Sequence, residues 1–235
     1  MKPILLLILT FITIVNCYSQ TSEEYFNKGV SKAKLKDYKV AIADYSKAIE
    51  INPKVASIYF NRGVSRAKLQ DYKNAIIDFN KAIEFNSNDA EAYYIRGLSK
   101  AKLQYYQDAI SDFSKTIEIN HNYAEAYYNR GVAKANLNDN LGAISDFSKA
   151  IEVNSKYEEA YYNRGLLKAL SGDYKNSITD YNKAIEINPN DAVVYYSRGM
   201  SKNKLGLKES GCLDLKKAEK LGSNEATNAI EQLCN

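Results

Sequence analysis

Apolar residues in this chain return at steps of three and four. In the stretch Ala41, Ile42, Tyr45, Ala48, Ile49 they line one face of a helix and leave the intervening places polar. A different pattern precedes it: Tyr25 and, four residues on, Gly29, again on one helical face. The two patterns then recur together. Gly29, Gly63, Gly97, Gly131, Gly165 and Gly199 are 34 residues apart, each with a tyrosine four before it (Tyr25, Tyr59, Tyr93, Tyr127, Tyr161, Tyr195). With the glycine at place eight of the repeat, six units follow: 22–55, 56–89, 90–123, 124–157, 158–191 and 192–225. Each predicts two helices. Residues 226–235 predict a capping helix over the open face of the last unit.

A glycine inside a helix costs about 1 kcal/mol relative to alanine, so its recurrence implies a steric need for close helix approach. The second helix supplies small residues to meet it: Ala41, Ala75, Ala109, Ala143, Ser177 and Gly211. Asp37, Asp71, Asp139 and Asp173 stand where a carboxylate caps the second helix. Thr21 and Glu24 form a capping-box pattern for the first. Asn52, Asn86, Asn120, Asn154 and Asn188 stand where the second helix ends and are expected to take its left-handed turn, with Gly222 in that place in the sixth unit. Asn140 and Gly142 predict a loose start to the second helix of unit four.

The chain resembles the tetratricopeptide repeat family. The residues that carry the likeness are Tyr25, Gly29, Ala41, Tyr45, Ala48 and Pro53 in unit one and Tyr161, Gly165, Ser177, Tyr181, Ala184 and Pro189 in unit five. It covers about 22–225. The resemblance implies an all-α, right-handed α-solenoid, a superhelix of six helix pairs whose first helices line a concave groove. At place five this groove has Phe26, Phe60, Tyr94, Tyr128, Tyr162 and Tyr196, and at place six Asn27, Asn61, Asn129 and Asn163. Rings give contact area at low entropy cost, and carboxamides pair with an exposed backbone, which suits a peptide or helix of a partner protein with apolar anchors. The same rings also serve as packing between repeats, and the sequence leaves both uses open. Some family members hold a terminal carboxylate with Lys at five and Asn at nine. Here place nine is apolar (Val30, Val64, Leu98, Val132, Leu166, Met200), so that clamp is absent.

A second ladder sets Lys28, Arg62, Arg96, Arg130, Arg164 and Arg198 at place seven against Asp44, Asp78, Asp112, Asp146, Asp180 and Asp214 at place twenty-three. A cation recurring between helices needs a partner, so structural ion pairs are expected.

The first nineteen residues read differently. Lys2, an apolar run from Pro3 to Val15 and Cys17-Tyr18-Ser19 have the layout of a secretory signal peptide, with cleavage expected after Ser19 or Gln20. The run is too short to span a bilayer. A lipid anchor on Cys17 fits poorly, because Asn16 before it is bulky and polar. The mature chain is thus expected to be exported, periplasmic or secreted. In that oxidising setting Cys212, on the last second helix, and Cys234, on the antiparallel capping helix, are expected to form a disulfide.

The net charge of +4 among alternating acids and bases gives no concentrated basic stripe, so no nucleic-acid partner is expected. No metal-spaced Cys or His cluster, phosphate-cradling loop or nucleophile elbow occurs, and the single histidine, His121, falls at a turn. The reading is a non-catalytic binding scaffold without cofactor or metal. The alternative is a structural assembly subunit of an envelope or secretion complex, packing through its edges and convex face.

Overall fold

In the computed structural model the described residues run from 20 to 234. The expected signal peptide, with Cys17, lies outside them. They contain thirteen helices and no strand: α1 Ser22–Lys34, α2 Tyr38–Ile51, α3 Ala56–Lys68, α4 Tyr72–Phe85, α5 Ala90–Lys102, α6 Tyr106–Ile119, α7 Ala124–Asn136, α8 Asn140–Val153, α9 Glu158–Leu170, α10 Tyr174–Ile187, α11 Ala192–Lys204, α12 Lys208–Lys220 and α13 Asn224–Leu233. The chain divides into two compact units between Gln104 and Tyr105. Each is a stretch of all-α solenoid in which every helix packs on its neighbours in sequence. Among the described residues no helix is long and apolar enough to cross a membrane.

The repeating glycine serves a ring. A Cβ on Gly29 would lie 2.5 Å from Cε1 of Tyr45, and one on Gly131 2.8 Å from Cε1 of Phe147. The close partner is therefore the aromatic residue at place twenty-four, more than the small residue at place twenty. Tyr45, Phe79, Phe147 and Tyr181 are fully buried against these glycines, and Phe113 is fully buried as well. Burying a ring is worth roughly 2–3 kcal/mol, more than the helix propensity given up by glycine. In the sixth repeat Leu215 takes the ring's place.

The turns correct one expectation. The asparagines that follow the second helices do not turn left-handed; they are extended, with φ between −142° and −127°. Their side-chain oxygens instead accept the N–H two residues on, as Asn120 does from Asn122 at 3.0 Å and Asn154 from Lys156 at 3.0 Å. A local side-chain turn of this kind needs no positive φ. The left-handed residues sit at the other turn, after the first helix: Lys36, Gln70, Gln104 and Asn138 at φ 62–63°, with Gly172 and Gly206 in the last two repeats.

The second helix of repeat four starts in register at Asn140, because Asp139 accepts from Gly142 N at 3.0 Å. It is not loosened. The capping helix α13 begins at Asn224, two residues before the expected 226. Gly222 at φ 96° shortens the turn, and Ser223 caps Ala226 N at 3.3 Å. Ala226 and Ala229 are buried against the last repeat. The structure joins Cys212 of α12 to Cys234 beyond α13, with a Cα separation of 5.7 Å.

At place three the first helices bury Ile58, Ala92, Ala126, Ala160 and Val194, with Ile58 packed on Tyr45 and Ala48 and Val194 on Tyr181 and Ala184 of the preceding repeat. Repeat one has the exposed Glu24 in that place. A charged residue there fits an outer face.

Candidate functional site

Four of the place-five rings rest on the inner rings of their own repeats. Ring centroids are 5.9 Å apart for Phe26 and Tyr45, 5.9 Å for Phe60 and Phe79, 5.7 Å for Tyr128 and Phe147, and 6.0 Å for Tyr162 and Tyr181. Such tilted contacts stabilise both rings. All six place-five residues, Tyr94 and Tyr196 included, are only half buried. One side of each ring packs and the other remains at the surface, so the packing use and the binding use are not exclusive.

The carboxamides at place six are more engaged than the sequence suggested. The amide nitrogens of Asn61, Asn129 and Asn163 donate back to Ser57 O, Glu125 O and Glu159 O at 2.8–3.0 Å. Asn163 Nδ2 also donates to the Tyr128 hydroxyl at 3.0 Å, tying two repeats together. Burial, then the nearby Glu159 carboxylate, push the Tyr128 phenol above its ordinary range, so it stays protonated at neutral pH. Asn27 is exposed.

In the first unit Val30, Val64 and Leu98 run beside the rings, with exposed Lys34, Lys68 and Lys102 beyond them at place thirteen. In the second unit the corresponding residues are Val132, Leu166 and Met200, then Asn136, Leu170 and Lys204. The first row of place thirteen is wholly basic; the second is not.

The Arg–Asp ladder lies behind this face. Arg130 grips Asp146 with two parallel bonds, Nη2–Oδ1 at 2.6 Å and Nε–Oδ2 at 2.9 Å. Arg62–Asp78, Arg164–Asp180 and Arg198–Asp214 share the arrangement at 2.6–2.7 Å. Each guanidinium also lies over the tyrosine three residues before it, with Arg130 5.6 Å from the Tyr127 ring centre. Arg96 lies over Tyr93 in the first unit, and Asp112 is buried in the second.

Two further ladders escaped the sequence reading. A second cation, at place eleven, reaches the same carboxylate: Arg66 to Asp78, Lys134 to Asp146, Lys168 to Asp180 and Lys202 to Asp214, at 2.7–2.8 Å. The remaining arginine nitrogen crosses to the preceding repeat, where place twenty-five offers Ser46, Asn80, Ser114, Ser148 or Asn182 at 2.7–3.0 Å. Arg62, Arg130, Arg164 and Arg198 thus each fasten their own two helices together and both to the previous pair. The signal was present in the sequence: a base four residues after each arginine, and a Ser or Asn at place twenty-five that becomes Lys216 where no seventh repeat follows.

Repeat one departs from the expected pairing. Asp44 forms no ion pair with Lys28; the Lys28 ammonium lies 5.5 Å from the centre of the Tyr25 ring. No described helix pair precedes it to offer a place-twenty-five acceptor. A single ammonium also lacks the fork that lets arginine hold two partners at once. His121 is exposed and donates from Nδ1 to Ile117 O at 2.6 Å, which serves the turn. Among the described residues no group of three or more His, Cys, Asp and Glu is placed to hold a metal ion.

Known proteins place this geometry. Family models described as "Tetratricopeptide repeat" match residues 56–89, 124–157 and 158–191, and one described as "TPR repeat" matches 31–70. No curated protein is similar enough to count as a relative. Among solved structures, that of MamA is 28% identical, covers 73% of this chain and 94% of its own, and superposes with a TM-score of 0.67. YrrB, described as a TPR protein with an unusual peptide-binding site, is 23% identical over 80% of this chain and 98% of its own, with a TM-score of 0.69. The pilF protein of Pseudomonas aeruginosa is 16% identical over 90% and 97%, with a TM-score of 0.74. The last two show the fold alone. Helix pairs of 34 residues, the glycine–ring contact and the matching family models together make this chain a member of the tetratricopeptide repeat family and a protein-interaction scaffold.

Proposed function

We propose that the first-helix face is a groove for a peptide or helix of another protein, and that the chain does no chemistry of its own. The observation that carries this is the row of place-five rings. Phe26, Phe60, Tyr128 and Tyr162 are each anchored from behind by an inner ring and remain only half buried. Anchored aromatics of this kind dominate binding energy at protein interfaces, since little entropy is lost on contact. YrrB, of the same fold, is described as having a peptide-binding site.

The double variant Tyr128→Ala/Tyr162→Ala tests this. Partners captured from the envelope or secreted fraction of the source cells are expected to fall by roughly tenfold or more, while the helical circular dichroism stays unchanged. Undiminished capture by a folded variant would move the interaction to the edges or convex face.

We further propose that the protein is exported, on the layout of residues 1–19. The disulfide between Cys212 and Cys234 suits an oxidising compartment. Protein purified from its own cells is then expected to begin at Gln20 or Thr21. An intact Met1 on cytosolic protein would rule export out.

A further inference from the structure

Between repeats one and two a pocket of about 330 Å³ opens on the first-helix face. Its lining includes Val30, Val64, Asn61, Lys34, Lys68 and Tyr45. Tyr45 is fully buried, and its hydroxyl has no hydrogen-bond partner. Buried polar atoms without partners are rare in native structures, and each calls for a reason. Neither Lys34 nor Lys68 belongs to an ion pair, unlike the place-twenty-six lysines such as Lys81 and Lys149, which pair with Glu84 and Glu152.

The chain supplies its own comparison. The equivalent pocket between repeats five and six, about 220 Å³, is lined by Tyr181, Leu170, Ser197, Met200 and Lys204. There the Ser197 hydroxyl stands beside Tyr181 and partly offsets the upward push that burial gives its phenol, and one of the two lysines is replaced by Leu170. At the first junction Asn61 occupies the place of that serine, but its amide is turned back to Ser57 O at 2.8 Å. In repeats two to four the residue at place twenty-four is Phe79, Phe113 or Phe147, with no hydroxyl to offer. A donor without an acceptor and two lysines without counter-charges therefore meet only at the first junction.

We propose that this pocket is a carboxylate subsite: an acidic side chain of a bound peptide sits between Lys34 and Lys68 and accepts a hydrogen bond from the Tyr45 hydroxyl. The proposal rests on the reading of the first-helix face as a peptide groove, and it gives that groove a charge preference. Val30 and Val64 would hold the apolar neighbours of the acidic residue. Burial, and after it the Asp44 carboxylate, push the Tyr45 phenol up to about 12, so it remains a protonated donor at neutral pH. Asp44 is the one acid whose field is felt at Tyr45, and two lysines stand against it. Charge-assisted bonds to a carboxylate are about twice as strong as neutral ones, so glutamate and glutamine should be told apart.

The test is an NMR titration of the protein with three probe peptides: acetyl-Leu-Glu-Leu-amide, acetyl-Leu-Gln-Leu-amide and acetyl-Leu-Gln-Leu with a free C-terminus. The glutamate peptide is expected to shift the Val30, Val64 and Tyr45 signals and to bind roughly tenfold tighter than either glutamine peptide. Signals around Tyr181 should stay in place. Lys34→Ala/Lys68→Ala should abolish the tenfold difference, and Tyr45→Phe should reduce it by about half or more on a logarithmic scale. Tyr45→Phe only installs the residue already used at places 79, 113 and 147, so folding is preserved.

Equal binding of the glutamate and glutamine amides, or indifference to both variants, would overturn the subsite. A free-terminus glutamine peptide that matches the glutamate peptide would assign the pocket to a chain end and overturn the side-chain reading. Absence of saturable binding by all three would overturn the subsite too. The groove itself is judged separately, by the Tyr128/Tyr162 variant in the other unit.

Discussion

Asp146→Ala is expected to destabilise the protein by about 3 kcal/mol, and Arg130→Met by only about 1–2 kcal/mol. The asymmetry follows from who else is present. The Asp146 side chain is 4% exposed and holds two cations, Arg130 at 2.6 Å and Lys134 at 2.7 Å. Removing it leaves both facing each other without a counter-charge. Removing a partner from a buried pair typically costs 3–5 kcal/mol, and the partial exposure of Arg130 and Lys134, about a fifth each, favours the low end. Arg130→Met, by contrast, leaves Asp146 with Lys134, and the methionine refills the space beside Tyr127. It also breaks the bond from Arg130 to Ser114 at 3.0 Å, so the second helix of repeat three loses a tie to repeat four. Urea unfolding of the two single variants and the double variant forms a cycle that isolates the pair. The double variant should be more stable than Asp146→Ala alone, because only Lys134, rather than two facing cations, is left without a counter-charge. If Arg130→Met proved as damaging as Asp146→Ala, the carboxylate would not be the centre of the cluster.

The second large effect is expected at the other end of the chain. Reducing the Cys212–Cys234 disulfide, or replacing Cys212 by Ser, should release α13. The helix has ten residues, too few to stand alone in water. Only Ala226 and Ala229 of it are fully buried against the last repeat. The bond closes a segment of sequence separation 22, for which chain entropy gives about 3 kcal/mol. Hydrogen exchange reads this directly. Amide protection in 224–233 should drop by roughly a hundredfold on reduction, while α9 and α10 keep theirs, because a repeat array unfolds locally from its ends. Unchanged protection would mean that apolar contact alone holds the cap. Two alkylatable thiols in protein that was never reduced would remove the disulfide altogether.

Much of the fold was legible because the repeat is a one-dimensional device. Each helix pair contacts only its sequence neighbours, so a residue's surroundings follow from its place in the 34-residue period. Gly131 marks a close approach whichever ring fills it. Asp139 caps a helix because the first N–H groups of any helix need an acceptor. Read the same way, the period could have exposed the place-eleven bases, which recur in all six repeats, and the place-twenty-five Ser and Asn, which recur in the first five. The asparagine turns were misassigned for a physical reason: asparagine tolerates positive φ but also makes side-chain turns, and composition does not choose between them.

The sequence alone therefore determined the helix pairs, their number, the place of close helix approach and the chemical character of each face, because these depend on spacing within one repeat or between adjacent ones; that the glycine meets the ring at place twenty-four was decided by the packed structure. It did not determine how each polar group is satisfied. Whether the Tyr45 and Tyr181 hydroxyls find a partner, which of two bases completes a carboxylate, and that Asp44 goes without an ion pair depend on side-chain angles and on the neighbouring repeat. A hydrogen bond is made or lost within a few tenths of an ångström, and only the packed tertiary structure sets distances to that tolerance.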